Sequence, residues 1–562
     1  MTPPPANSIS TKREVDTMRD VGGWQVRWDA RRAEEFVKAG VWGDKTVADH
    51  LAERLAADPD HICVIEGQQA FTLRDLDTES TLLARALVRR GYRPGDTISF
   101  QLPNWREAVV IGLAAAKAGL VFGPITPIYR DAELTFMLSD SRSRLLFVPD
   151  VFRNIDYLAM AKRVRTALGR ELEIVVVRGD RAGDCVSYAA LLNEGQHEAA
   201  LPGADPNAVK LVMYTSGTTG RAKGVLHSHN SLQSENWMRQ QHLGVGPQDT
   251  LYNPSTVTHV TGALYSLCMP FTLGITTILA DTWDPAAAIS AMRKHRATAM
   301  IASTIFLEGL LAEAKRQDEH LPDMRFYLCG GAQVRPELIR EATTFFPNCT
   351  FSRIYGSTEV PNITGGINTR ANAELGATTD GQIIGCEARV VDAATGAPLP
   401  IGAEGEIIAC GPQMLIGYTR AEDADEAIDR DGFFHMGDLG RIVNDDYIVI
   451  TGRKKDIIIR AGENISPKEI EDTLASHPDI AEIAIVAMPD QRTGEMACAF
   501  VVPAPGRVVT IQQVADFLIA AGIAKQKIPE HVELVDDLPR TAIGKVRKDI
   551  LRERARLLAA AR

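Results

Sequence analysis

The sequence predicts an α/β protein: a large N-terminal region of α/β subdomains with a small β subdomain, followed by a small α+β C-terminal domain. Three observations predict it. Helix-period and strand-period apolar segments alternate over most of the chain, which points to largely parallel sheets. Past Asp380 the texture changes to short strands punctuated by glycine, and from about Gly452 it returns to mixed α+β. At 562 residues the chain is also too long for one ordinary core.

In order, residues 1–40 read as a polar extension, because the first fifteen are polar and proline-rich and lack the apolar core of a secretory signal. Apolar residues at helical spacing predict helices over 46–55 and 74–90, with strands over 61–65 and 97–102. The alternation continues with helices over 106–118, 131–138 and 157–168 and strands over 120–125, 144–148, 173–177 and 208–214. Further helices follow over 285–295, 306–316 and 336–345, and further strands over 297–302, 324–329 and 350–354. The β subdomain, 380–450, draws on strands over 381–385, 406–410 and 411–418. The boundary falls at 453–455, so 41–453 forms the N-terminal domain and 454–562 the C-terminal one. There Ser466-Pro-Lys-Glu469 has a cap serine, a proline at the first helical position and a glutamate three residues after the serine, which starts a helix at Pro467. A strand over 455–460, strands over 480–487 and 497–502 and a helix over 511–520 complete it.

Composition excludes several classes. The chain is 45% apolar and 24% charged, as in a soluble globular protein. A net charge of −11 argues against non-specific nucleic-acid binding, and the basic stretch at 547–562 is mixed with acids and reads as a solvated helix face. The eight cysteines form no C-x-x-C pair and sit at no metal-ligand spacing, which fits a reducing, cytoplasmic compartment. The longest apolar run, 109–125, is broken by Lys117, Gly119 and Gly123, so no membrane span is expected.

Tyr214-Thr-Ser-Gly-Thr-Thr-Gly-Arg-Ala-Lys-Gly-Val225 carries the most chemistry. Its glycines let backbone N–H groups turn inward, Thr215, Ser216, Thr218 and Thr219 add hydroxyl donors, and Lys223 supplies a mobile positive charge. Such a loop holds phosphates; a plain surface Gly/Ser/Thr loop is the alternative. It is neither a P-loop, since Gly220 and Lys223 are not adjacent, nor a G-x-G-x-x-G turn.

Six more segments follow: Gly330-Gly-Ala-Gln-Val334, Tyr355-Gly-Ser-Thr-Glu359, His435-Met-Gly-Asp-Leu439, Gly452-Arg-Lys-Lys-Asp456, Ala461-Gly-Glu-Asn464 and Pro539-Arg-Thr-Ala-Ile-Gly-Lys545. In this order, and over nearly the whole chain after residue 40, the seven resemble the motifs of the acyl-adenylating superfamily of acyl-CoA synthetases, adenylation domains and luciferases. That resemblance implies a carboxylic acid, ATP, Mg²⁺ and coenzyme A as the small molecules handled, and a mobile C-terminal domain. A free carboxylate is a poor electrophile, so such enzymes join it to the α-phosphate of ATP, release pyrophosphate, and let a thiol attack the acyl-adenylate.

The resemblance assigns roles residue by residue. Thr215, Ser216, Gly217, Thr218, Thr219 and Lys223 would hold the β- and γ-phosphates, Glu359 would ligate Mg²⁺, and Thr358 would meet the α-phosphate. Gly330, Gly331 and Ala332 would line the adenine slot opposite Tyr355 and Gly356. Asp438 would accept hydrogen bonds from the ribose hydroxyls, with Arg453 beside it. Lys455 would be the hinge, Lys545 the catalytic lysine of the first half-reaction, and Arg460, Gly462 and Glu463 part of the coenzyme A path in the second. His259 would gate the acid pocket or touch the carboxylate; a core histidine satisfied by the backbone is the competing reading.

Amino-acid-activating relatives place an aspartate in the segment after His259, and none stands between Asn253 and Thr272. An apolar, uncharged acyl group is favoured. The Trp42-Gly-Asp-Lys-Thr-Val-Ala-Asp-His50 entry and Gly123-Pro-Ile-Thr-Pro-Ile128 are similar to bacterial ligases for short- to medium-chain and alicyclic acids, such as cyclohexanecarboxylate-CoA ligases. A stand-alone enzyme loading a carrier protein is the second reading, and an idle nucleotide-binding relative the third. Nothing in the sequence speaks to oligomeric state.

Overall fold

The computed structural model describes residues 17–179, 181, 183–215, 221–331, 334–460, 463–541 and 544–560, with the side chains of 463 and 464 excepted. Among these, two large sheets dominate the N-terminal region. The first runs, edge to edge, through Val186–Ser187, Glu173–Val177, Leu145–Pro149, Thr97–Phe100, Val121–Pro124, Val209–Thr215, Lys223–Ser228 and Gly417–Tyr418. It is parallel up to Val209–Thr215 and antiparallel beyond. The second runs through Thr350–Arg353, Phe326–Cys329, Ala299–Ala302, Thr250–Asn253, Thr276–Leu279, Ile62–Glu66 and Gln69–Thr72, and is parallel save for its last pair. Strands such as Leu145–Pro149 and Phe326–Cys329 are buried throughout, which is why they read as unbroken apolar runs.

Many predicted elements appear within a residue or two of their expected ends, including the helices Tyr157–Leu168, Pro336–Phe345 and Ile511–Ala520. The β subdomain differs in detail. Its antiparallel sheet is Glu387–Val391, Gly405–Cys410, Phe434–Val443 and Tyr447–Arg453. The expected strand at 381–385 is reduced to isolated bridges at Gln382 and Ile383, because Gly381 (φ 95°) and Gly385 (φ 60°) take left-handed angles that break an extended run. Of 411–418, only Gly417–Tyr418 is strand.

Over residues 17–40 the structure corrects the reading of a loose extension, and residues 1–16 lie outside the described residues. Strands Thr17–Val21 and Trp24–Trp28 form a hairpin, followed by the helix Ala30–Lys38. Trp24 and Val26, two residues apart on one face, pack against Val212, Leu226 and Ile416. The Arg27 N–H donates to the Ile416 carbonyl at 2.8 Å, and Trp42 Nε1 donates to the Pro412 carbonyl at 3.1 Å.

The C-terminal domain is a mostly antiparallel sheet of Glu463–Ile465, Ile458–Arg460, Gly494–Pro503 and Ile480–Asp490, with His531–Leu534 added parallel to Gly494–Pro503. Helix Pro467–Leu474 starts where expected, but without the side-chain cap. Ser466 Oγ instead donates to the Thr451 carbonyl at 2.8 Å, tying the helix to the end of the β subdomain, while Glu469 takes Lys527. The basic face of helix Lys548–Ala560 is likewise engaged: Arg552 pairs with Asp456 and Arg554 with Glu533. No helix among the described residues is long and apolar enough to cross a membrane.

Candidate active site

Strands Val209–Thr215 and Lys223–Ser228 pair with Thr215 opposite Lys223, which brings the two ends of the phosphate segment together. Ser216, Gly217, Thr218 and Thr219, assigned to the phosphates, lie outside the described residues, as do Ala332 and Gly462. Lys223 Nζ stands 3.4 Å from Asp423 Oδ1 and 5.5 Å from the Tyr418 ring centroid. Arg221 reaches the same aspartate at 2.9 and 3.0 Å. Two cations at the mouth of the segment therefore share one carboxylate.

Glu359 sits against this hairpin. Its Oε1 accepts from Thr215 Oγ1 and from the Tyr418 hydroxyl, each at 3.4 Å. Burial, and then the Glu359 charge, push the Tyr418 phenol well up, so it stays protonated and remains a donor. The loop carrying Glu359 is pinned from behind, where His227 Nε2 donates to the Thr358 carbonyl at 2.7 Å. Burial lowers His227 to about 4, leaving a neutral ring that donates through one nitrogen only. A carboxylate beside hydroxyl oxygens is a hard donor set that fits Mg²⁺ held jointly with phosphates. Tyr418 is a site residue that sequence reasoning missed, since a two-residue strand leaves no periodic trace.

Asp438 and Arg453 face each other across strands Phe434–Val443 and Tyr447–Arg453. Arg453 Nε lies 2.8 Å from Asp438 Oδ1, and the Tyr355 hydroxyl donates to Oδ2 at 2.8 Å. Both carboxylate oxygens are thus engaged, which fixes the orientation of the Asp438 side chain. Nearby, a Cβ on Gly330 would lie 2.8 Å from the Ile354 carbonyl and one on Gly356 only 2.3 Å from the Asn362 nitrogen. Only glycine permits these backbones to approach so closely.

His259 caps the short helix Val260–Ala263, its Nδ1 accepting from the Thr261 N–H at 3.3 Å. The ring has this backbone partner and also lies within electrostatic reach of Lys545. Burial, and then the Lys545 charge, lower His259 to about 4, so the ring is neutral and carries its proton on Nε2. Lys545 is exposed, and its ammonium lies within electrostatic reach of Arg453, Asp438, Glu359 and Lys455. Desolvation by the crevice walls, then repulsion from Arg453, push it down to about 8, against the pull of Asp438 and Glu359. A Cβ on the adjacent Gly544 would lie 3.8 Å from Ile305 Cγ2, so this C-terminal segment rests directly on the N-terminal domain.

Lys455, expected to be the hinge, lies in the turn Lys454–Asp456, flanked by Lys454, which reaches Glu406 at 3.0 Å, and by Asp456, which holds Arg552. Arg460, assigned to coenzyme A, instead donates to Glu530 at 3.2 Å within the C-terminal domain. Glu463 is placed opposite it in register. Hydrogen bonds, strand pairing and electrostatic reach thus link Thr215, Lys223, Glu359, Tyr418, Tyr355, Asp438, Arg453, His259 and Lys545 to one another.

The AMP-binding enzyme family matches residues 51–419, and the AMP-binding enzyme C-terminal domain matches residues 469–545. The chain belongs to this family. It is 34% identical over 534 residues to a medium-chain fatty-acid–CoA ligase of Escherichia coli, covering 94% of this chain and 93% of that one. It is 33% identical over 547 residues to a salicyl-AMP ligase/salicyl-S-ArCP synthetase of Mycobacterium tuberculosis, with 94% of each covered. Among solved structures, ATP-bound MatB from Rhodopseudomonas palustris superposes with a TM-score of 0.82 at 28% identity, over 92% of this chain and all of that one. This AMP-binding enzyme is therefore an adenylate-forming acid–thiol ligase, and enzymes of this kind use ATP, Mg²⁺ and coenzyme A.

Proposed function

We propose that this AMP-binding enzyme joins an uncharged, largely apolar short- to medium-chain or alicyclic acid to AMP and then transfers the acyl group to coenzyme A in the cytoplasm. The observation that carries the proposal is the position of Lys545, whose ammonium shares a crevice with His259, Glu359, Asp438 and Arg453. In the first half-reaction the acid's carboxylate attacks the α-phosphate and pyrophosphate leaves. Lys545 bridges the attacking carboxylate and the phosphoryl oxygens, offsetting the charge that builds there. Glu359 would hold Mg²⁺, which supplies charge neutralisation on the phosphates when bound. Lys223 and Arg221 must release Asp423 to engage those phosphates, so Asp423 keeps the two cations ordered until an anion competes for them. The neutral His259 offers an Nε2–H to an acid oxygen without adding charge. The second half-reaction needs the C-terminal domain to turn on Lys455, withdrawing Lys545 and presenting the segment around Arg460 and Gly462 to the thiol.

The acid class rests on the absence of an aspartate between Asn253 and Thr272 and on the medium-chain ligase relative. The salicyl-AMP ligase relative supports a second reading, an aryl acid loaded onto a carrier protein. Carboxylate-dependent exchange of labelled pyrophosphate into ATP, screened over acids, tests the first half-reaction. Acyl-CoA formation on adding coenzyme A favours the first reading, and acylation of a carrier protein alone favours the second.

Two predictions follow for ATP. Asp438→Ala removes two ribose hydrogen bonds to a charged acceptor, each worth roughly 1.5–3 kcal/mol. The KM for ATP should rise by at least ~10-fold, and any preference for ATP over 2′-deoxy-ATP should shrink, as steady-state exchange assays would reveal. Lys545 is charged below about 8 and loses its proton as pH rises through that value. Adenylation kcat/KM should therefore fall above pH ~8, since this ratio reports ionisations of the free enzyme. Lys545→Arg should abolish that fall even if its rate is lower throughout, and a decline unchanged in the arginine variant would reassign it to another group.

A further inference from the structure

Helix His229–Leu243 packs against the segment Leu264–Cys268, and residues on nearly all of its faces are buried. Glu235 and Arg239, one turn apart on it, are both fully buried. Arg239 Nη1 donates to the Gly365 carbonyl at 3.2 Å, and Glu235 Oε2 accepts from Asn362 Nδ2 at 2.8 Å. Among the described residues, Glu235 Oε1, Arg239 Nε and Arg239 Nη2 have no hydrogen-bond partner. The Nε and Nη2 groups form the edge of a guanidinium that binds oxygen by two parallel hydrogen bonds. A buried guanidinium and an acidic side chain left open in this way carry a large desolvation cost unless something else completes them.

The cluster connects to the reaction centre by two routes. Asn362 comes three residues after Glu359 and donates 2.7 Å to the Tyr265 hydroxyl oxygen. Tyr265 lies on the helical segment that begins at His259, in the stretch Leu264–Cys268. Six residues of helix carry it ~9 Å along from His259. A carboxylate held at His259 and Lys545 would therefore extend its acyl body along this helix toward Tyr265, Asn362, Glu235 and Arg239.

Resting on the acyl-ligase reading above, we propose that the acid bears a hydroxyl group at the end remote from its carboxylate, seated between Glu235 and Arg239. A hydroxyl completes both open groups at once: its oxygen accepts from the Arg239 Nε/Nη2 edge and its hydrogen is donated to Glu235 Oε1. The rest of the acyl body passes apolar neighbours such as Val260 and Leu264. A site built to hydrogen-bond a hydroxyl discriminates strongly against the analogue lacking it, because its own buried groups are then left open.

The test compares straight-chain acids with their terminally hydroxylated counterparts at matched length, by pyrophosphate exchange. Over the chain lengths accepted, the hydroxy acid should exceed its parent by at least ~10-fold in kcat/KM, within the range such sites reach. Arg239→Met and Glu235→Leu should bring the ratio close to one, while Glu235→Gln, which still accepts the hydroxyl hydrogen, should retain part of it. The ratio is taken within one enzyme, so a variant with a reduced folded fraction still reports. Parent acids that match or exceed the hydroxy acids at every length overturn the proposal and indicate ordered water between the two residues. Exchange with no acid at all would instead overturn the acyl-ligase reading, and this one with it.

Discussion

Lys545→Ala slows acyl-adenylate formation by ~10²–10³-fold, equivalent to ~3–4 kcal/mol of lost transition-state stabilisation, the usual effect of removing one preorganised donor. The same variant keeps most of its rate when supplied with preformed acyl-adenylate and coenzyme A, because Lys545 has by then swung out of the crevice. The split arises from position. The ammonium lies within electrostatic reach of His259, Asp438 and Glu359, on a segment whose Gly544 rests against Ile305. Single-turnover measurement of each half-reaction decides the matter, and equal loss in both would remove Lys545 from its assigned role. ATP binding should change little, since Asp438, Arg453 and Glu359 remain.

Lys455→Pro should produce the mirror image. In the orientation described here the turn Lys454–Asp456 links the β subdomain to the C-terminal sheet, and Lys545 already faces inward. Proline fixes φ near −65° and removes the backbone N–H, so it blocks rotation about that residue. Adenylation should survive within a few-fold, whereas thioester formation should fall by at least ~10²-fold, ~2.7 kcal/mol on the barrier. Acyl-adenylate trapped on the enzyme, seen in quenched reactions, would be the direct sign. Overall turnover that matches the parent enzyme would show that the domain turns about another residue.

The motifs were readable because their chemistry demands particular side chains at fixed spacing, and several of the described ones are linked in the structure, as Thr215 is to Glu359 and Asp438 to Tyr355 and Arg453. What surrounds them was not. Helix His229–Leu243 has no apolar face to detect: its Asn230 is satisfied by Gly43 and Asn207, and its Asn236 amide nitrogen donates to Thr272, all from other parts of the chain. Burial that depends on tertiary partners leaves no period in the sequence. Tyr418 contributes to the Glu359 site from 59 residues away, at the edge of a sheet formed mainly by much earlier strands. Ser466 illustrates a local signal overridden. Its spacing to Glu469 predicts a reciprocal cap, but the Thr451 carbonyl and Lys527 offered each side chain a tertiary partner instead.

The clasp made by the first hairpin has a bearing on where the working enzyme begins. Arg27 and Trp42 hold the Pro412 and Ile416 carbonyls, and Arg32 reaches the Asp431 carbonyl at 2.7 Å. They close the flank of the short strand that positions the Tyr418 phenol against the Glu359 carboxylate. The packed unit is therefore wider than the 51–419 family match: amino acids between Thr17 and Trp42 brace the surroundings of Glu359, and trimming them would loosen those surroundings from outside.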